Sequence, residues 1–446
     1  MGFSMGIEDA DRDVCGRAWT SENAYSKLTG LTRCGSRFAG TESEMVGIDW
    51  LKGQYEELGL SSIRTDPFTY PGWKRGSLSL DILSPQEKKI EPALALSHSP
   101  TAEVEGQLAS ARCGTAAEFA SIGDSLAGKI VIVDGTTPVH IGGRSLPMKE
   151  RYNLAVEAGA IGFIWMRDQG GFLPEAGSLP PGCSVPGVSI GRESGQELLR
   201  LLRSGPVRVK LSMENTAGPM ESRNVAGDLQ SEKNDTRMLV VGAHFDGLDI
   251  NEGALDNGYG VAVALEAARL LSPHAHLFNR SIRFVMFAAE ELGLRGSRAF
   301  VEQSDEAGEL DRVDFMLNLD VLRRGEGALG FGLQAWPELL PVFHEVFSAM
   351  GIPAIVDVVP RKTSDQFPFM EKGIPSGYAR VLERADRTRH WAHTSADTLD
   401  KVPRLHLKMD SMIVSRVLLH LAMWSDKWPA KRYTPEQVRS LLGGQQ

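Results

Sequence analysis

Cysteine is scarce: the chain of 446 residues holds four, Cys15, Cys34, Cys113 and Cys183. None forms a CxxC pair, so neither a zinc knuckle nor a thioredoxin-like motif is present, and so few over such a length do not make a disulfide scaffold. Basic charge is also short. The net charge of −9 argues against a nucleic-acid partner, which a basic patch would announce. No apolar run approaches the roughly 18 residues of a membrane span, so no membrane partner is expected. The opening stretch "MGFSMGIEDADRD" lacks the apolar core of a secretory signal and is acidic. A cytoplasmic location is the expectation, with a trimmed secreted form as the alternative. No internal repeat or low-complexity segment stands out.

What is present reads as globular: 42% hydrophobic and 24% charged residues. The length calls for two domains or one large domain with an insertion. Residues 41–60, "TESEMVGIDWLKGQYEELGL", place Met45, Ile48, Leu51, Tyr55 and Leu58 on one helical face, and Thr41 with Glu44 fits a capping box. A strand follows in "SLSLDIL". Between about 100 and 215 lie short buried strands and helices, "LAGKIVIVDG", "MKERYNLAVEAGAIGFIWM", "VPGVSI", "GQELLRLLRSG" and "VRVKLSM". Proline- and glycine-rich connectors near 96–103 and 214–222 border this block, which is predicted to be a separate small domain. Beyond residue 223, strands (236–246, 281–289, 314–321, 373–381) alternate with helices (258–271, 403–425). That alternation predicts an α/β fold with a mostly parallel, mixed central sheet covered by helices on both faces. The last dozen or so residues are polar and expected to be loosely held.

In an open α/β sheet, ligands gather outside the carboxyl ends of the strands. Here the strand ends carry His244 and Asp246 in "GAHFD", Glu290 and Glu291 after "FVMFAA", Asp320 in "MLNLD", and His393 and Asp397 in "RHWAHTSADT"; Asp256 stands before a helix in "GALDNGYG". Singly, each has an ordinary explanation. A lone His is usually a surface or core residue, an Asp before a helix an N-cap, and a Glu pair a solvated face. Jointly they do not, because carboxylates crowded on one sheet edge repel one another, and a cation is the simple remedy. Two histidines with three carboxylates suit zinc, and less specifically manganese or cobalt. Five ligands exceed the three that one catalytic zinc takes, and suit two metals sharing a bridging carboxylate. One acid of the Glu pair is then left over as a general base.

The ordered segments "GSRFAGT", "GAHFD", "GALDNGYGVAVALEAAR", "FAAEELGLRGS", "NLD", "SDQFPFMEKGIPS" and "HTSADT", from residue 35 to 398, resemble the co-catalytic dizinc exopeptidases of the leucyl aminopeptidase, aminopeptidase Y and carboxypeptidase Q type. The resemblance implies that His244 and Asp320 hold one zinc, Glu291 and His393 the other, and that Asp256 bridges them. It implies that Glu290 is the general base and that Asp246 orients His244, with Asp397 doing the same near His393. The segments "GKIVIVDG", "KERYNLAVEAGAIGFI" and "VPGVSI" resemble a protease-associated domain, implying an inserted domain at 100–215 within a discontinuous catalytic domain of 1–99 and 216–446.

The implied activity is removal of N-terminal residues from peptides, a homodimer being among the assemblies considered. The alternative is a carboxypeptidase Q-like carboxypeptidase or dipeptidase, for which Arg361, Lys362 and Arg389 are candidate cations for a substrate carboxylate. The sequence departs from the family where Ala392 replaces the tyrosine that precedes the last histidine ligand in classical aminopeptidases. Tyr378, His390 and Trp391 are candidate substitute donors. "SDQ" in place of "SDH" makes Gln366 non-titrating, a change expected on the substrate side of the site.

Overall fold

The computed structural model describes residues 4–137, 146–233, 236–320, 327–383, 391–425 and 427–443. The chain forms two compact units: Met1–Thr69 with Glu221–Asp386 and Ala396–Gln446, and Tyr70–Met220 with Arg387–Ser395.

The first unit is built on an eight-stranded sheet. Its strands in chain order are β1 (Ser61–Lys74), β2 (Thr216–Leu229), β3 (Met238–His244), β4 (Ser281–Phe287), β5 (Val313–Asn318), β6 (Gly327–Leu333), β7 (Val356–Val358) and β8 (Ser376–Glu383). They lie in the order β1-β2-β4-β3-β5-β8-β6-β7. The centre is parallel: β3 pairs with β4 from Met238↔Ser281 to His244↔Phe287, and with β5 as far as Gly242↔Asn318. β2 on β4 and β6 on β8 run antiparallel. The sheet is thus mixed and mostly parallel in the middle. Every residue of β3, β4 and β5 is buried, as expected of parallel strands covered on both faces.

On this sheet pack Val240, Val285, Phe287, Met316, Phe300 and Phe369, with Phe287 meeting Phe300 edge-on at 5.8 Å between ring centroids. The helix Tyr259–Leu271 is buried along nearly all its length. Its small residues permit a close approach: a Cβ on Gly260 would stand 1.8 Å from the Leu319 carbonyl oxygen. Only glycine fits there, and the contact draws the helix against the carboxyl end of β5.

The second unit has its own eight-stranded sheet. Ile130–Asp134 and Gly162–Met166 run parallel at its centre, and Val131, Val133, Tyr152, Phe163 and Trp165 form its core. Residues 78–84 and 93–95, expected with the other unit, belong to this sheet. Leu78–Ser84 pairs antiparallel with Arg208–Met213, and Ala93–Ala95 with Gly187–Ile190.

Several expectations change. The connector near 214–222 is the first half of the long strand β2. The helix over 41–60 spans Glu42–Glu57, but Thr41 makes no capping bond. Thr41 Oγ1 donates to the Phe38 carbonyl at 2.6 Å, and Glu44 Oε2 accepts from Gly40 N at 2.7 Å. Met45, expected on the buried face, is exposed, as is Leu405 at the start of the closing helix Arg404–Met423. Near the chain end Pro435–Gly443 is helical with Val438 buried, and just before it Tyr433 stacks on Trp336 at 4.6 Å. The four cysteines are free. Among the described residues no helix is long and apolar enough to cross a membrane.

Candidate metal centre

Strands β3, β4 and β5 end side by side, so their register decides what meets. β3 ends at His244, opposite Phe287 at the end of β4. Beyond Phe287 the chain turns through Ala289 at φ +53°, a left-handed conformation that a residue with a Cβ adopts only at a cost. The turn separates the two acids from the strand's regular alternation. Its amides are held by Asp246: Oδ1 accepts from Glu290 N at 3.1 Å, and Oδ2 from Glu291 N at 3.3 Å. Asp246 is fully buried, and the same carboxylate lies 3.5 Å from His244 Nδ1. Asp246 therefore ties the ends of β3 and β4 together and flanks the imidazole, whose Nδ1 also lies 3.1 Å from the Asp246 backbone carbonyl oxygen.

His244, Asp256 and Asp320 each offer one ligand atom, and these atoms lie within 4.8 Å of one another. His244 Nε2 stands 3.3 Å from Asp256 Oδ1. Asp256 and Glu291 likewise bring carboxylate oxygens within 4.8 Å. Burial alone would lower the His244 pKa, but Glu290, Asp246 and Asp256 outweigh it and hold the imidazole well above its ordinary value. Burial pushes the Glu290 carboxyl well above the usual carboxylate range; Asp365, Glu291 and Asp320 add to this and His244 opposes it. Such a crowd of acids around an imidazole could hold a cation, and its nitrogen and oxygen donors fit zinc.

A supporting layer was not read from the sequence. Ser364 Oγ donates to Asp320 Oδ2 at 2.7 Å and accepts from Asn318 Nδ2, also at 2.7 Å. Gln366 accepts from Asn318 Nδ2 at 2.9 Å and is fully buried, so it braces Asn318, two residues before Asp320. Asp365 between them is buried too. Its carboxyl is pushed up to about 7, by burial first, with Asp246 and Asp320 adding and His244 and Ser297 opposing. The signal was in the quoted "NLD" and "SDQ" motifs, where Asn318 stands two residues before the assigned Asp320.

Other candidates are placed differently. Asp397 accepts from the amides of Leu255 at 2.7 Å and Asp256 at 3.0 Å, so it supports the Asp256 loop. Burial raises its pKa to about 6, Asp256 adding and the two amides opposing. Tyr378 is buried and its hydroxyl donates to the Val359 carbonyl at 3.0 Å, which commits the proposed substrate donor to the backbone. Arg361 lies over the Tyr378 ring at 5.7 Å, with Nη2 3.5 Å from Asp320 Oδ2. His393 sits at φ +60° on a segment of the second unit, its carbonyl accepting from Ala176 N at 2.7 Å. His390 and Arg389 lie outside the described residues.

Acids and an imidazole at the carboxyl edge of a mixed α/β sheet define a candidate metal-dependent hydrolase. Residues 224–417 match the model of peptidase family M28, and residues 104–198 that of the PA domain. The segment 224–417 is thus of the peptidase family M28 type, with a PA domain before it at 104–198. Aminopeptidase YwaD of Bacillus subtilis is 26% identical over 426 residues, 92% of this chain and 86% of that protein. Carboxypeptidase Q of Xenopus laevis is 24% identical over 412 residues, 87% of this chain and 83% of that protein. Among solved structures, the peptidase M28 precursor from Shewanella amazonensis superposes with a TM-score of 0.84 at 22% identity, covering 96% of this chain and 99% of that one. A zinc aminopeptidase from Bacillus subtilis gives 0.70 at 24%, covering 92% and 97%. At these identities the structures speak for the fold.

Proposed function

We propose that the protein is a dizinc exopeptidase that removes residues from the amino terminus of peptides. The observation that carries this reading is the convergence of His244, Asp256 and Asp320 at the strand ends, with Glu290 and Glu291 beside them. His244 and Asp320 would hold one ion, Glu291 and His393 the other, and Asp256 both. Bound zinc supplies Lewis acidity, making a water acidic near neutral pH and polarising the scissile carbonyl. Glu290 takes the proton of the attacking water and returns it to the leaving amine. Asp246 keeps the two acids apart through their amides, so that each serves a different partner. The second unit is, in this reading, the PA domain inserted in the catalytic domain.

The test is Glu290→Gln with zinc content measured in parallel. Turnover is expected to fall by about 10²–10⁴-fold at unchanged zinc content, and near-wild-type turnover would sink the assignment. Glu291→Ala is expected instead to lose zinc, and equal loss of metal in both variants would contradict the division of roles.

A second reading, a carboxypeptidase or dipeptidase, is favoured by Arg361, a cation next to Asp320 that could take a substrate carboxylate. An N-terminally blocked dipeptide and a C-terminally amidated one separate the readings: an aminopeptidase fails on the first, a carboxypeptidase on the second.

A further inference from the structure

The turn "GSRFAGT" supplies no ligand, yet it contains a fully buried arginine. Arg37 is 0% exposed and adopts φ +55°, where a side chain bearing a Cβ is held only if its surroundings over-determine it. Its guanidinium donates to backbone carbonyls: Nε to Phe245 at 2.7 Å, Nη1 to Gly35 at 2.6 Å and Glu252 at 2.8 Å, and Nη2 to Gly253 at 3.0 Å. Phe245 follows His244 directly, and Gly253 opens the loop that carries Asp256. The Gly253 carbonyl also accepts from Gly258 N at 2.9 Å, closing that loop around Asp256. Gly253 has φ +53°, and a Cβ there would lie 2.8 Å from Arg37 Nη2, so the loop fits against the guanidinium only as glycine. Burial depresses the Arg37 pKa to about 10, while Cys34, Asp246, Asp397 and Glu252 favour the charged form.

We infer that Arg37 is a positioning residue that presets the metal site, fixing the backbone beside His244 and before Asp256 at the separation an ion needs. A guanidinium suits this because its rigid fork reaches several carbonyls at once, which a lysine ammonium on a flexible stem cannot do. The inference rests on the reading of His244 and Asp256 as metal ligands.

The experiment uses the full chain as wild type, Arg37→Lys, Arg37→Met and, as a ligand control, His244→Ala. Zinc affinity is measured by competition with a chromophoric chelator, and Tm with and without zinc. The zinc-induced rise in Tm reports binding to the folded state. Both Arg37 variants are expected to weaken zinc binding by about 10-fold or more, the methionine further than the lysine, and to shrink the zinc-induced rise in Tm. At saturating zinc, kcat is expected to fall with KM little changed. A variant whose Tm drops equally with and without zinc, at wild-type zinc affinity, would make Arg37 a fold staple only and overturn the inference. If neither variant folds, Gly47→Ala replaces them. Its added Cβ would press on Arg37 Cγ from 3.3 Å, and unchanged zinc affinity there would overturn the inference equally. Failure of the underlying reading looks different: wild type and His244→Ala would then bind zinc alike.

Discussion

Replacing Asp246 by asparagine keeps its shape and removes one charge from the centre of the site. The carboxylate now accepts from two amides, at 3.1 and 3.3 Å, beside an imidazole nitrogen at 3.5 Å. An asparagine oxygen can accept from one amide; its NH₂ then faces the N–H of the other. Hydrogen bonds to a charged group contribute about 1.5–3 kcal/mol, and long ones like these belong at the low end, about 1.5 kcal/mol. The buried donor facing a donor adds about 1–2 kcal/mol. The total of about 3 kcal/mol divides between the metal-free fold and zinc binding. His244 Nδ1 keeps its contact with the Asp246 backbone carbonyl at 3.1 Å, so zinc binding loses the carboxylate charge beside the imidazole. Loss of such a supporting group weakens metal affinity by about 10–100-fold, or about 1.4–2.8 kcal/mol, which fits inside that total. Asp246→Asn is therefore expected to raise the zinc Kd by about 30-fold, with a smaller fall in Tm in chelator. Chelator competition and calorimetry on the same preparation measure both. A lowered Tm in chelator with an unchanged zinc Kd would refute the reasoning, because Asp246 would then support the strand ends without acting on the metal.

Other outcomes are specific. Ser364→Ala removes the hydroxyl bridging Asn318 and Asp320; zinc content should fall by up to one equivalent, with about 1–2 kcal/mol lost in denaturant titration, and full zinc content would count against it. Asp11 is clamped by Arg416, whose Nε donates at 2.7 Å. Burial pushes the Asp11 pKa up, but the Arg416 and His420 contacts outweigh it and hold it below the usual value. A lowered carboxyl pKa gives stability that is present above the unfolded value of 3.8 and lost as pH falls through the folded value. The stability gap between wild type and Asp11→Asn should thus be full at pH 6, about 1.5–3 kcal/mol, and close as pH falls below 3.8 through the lowered folded value. A gap independent of pH would refute the pairing.

The sequence announced the sheet edge because His244, Glu291 and Asp320 each close or follow an apolar strand, where a polar side chain has no packing reason to be. It announced the roles less well where residues act through backbone. Arg37 donates to carbonyls, and carbonyls leave no mark in a sequence. Asp397 holds the amides of Leu255 and Asp256, a backbone role that its place in "HTSADT" does not show. Ser364 and Gln366 are buried polar residues whose partners come from another strand end. The helix Ser4–Thr20 was not foreseen because its buried stripe is Ala10, Val14 and Ala18, too small to stand out. Strand β2 was taken for a connector because Gly218 and Pro219 punctuate its first half, where much of the strand is exposed.

The parallel register of β3, β4 and β5 has a kinetic consequence. His244 and Asp320 follow strands that are adjacent in space, while the chain between them runs through other strands and helices. If these residues hold an ion, as proposed, it cannot find them together until the long-range pairing has closed, and closing such non-local contacts is what makes folding slow. The ion would then arrive after the barrier has been crossed. Interactions absent from the transition state slow unfolding and leave refolding unchanged. In stopped-flow denaturant jumps, the refolding rate of the catalytic unit should be the same with zinc or with chelator, while zinc alone lengthens the lifetime of the native state.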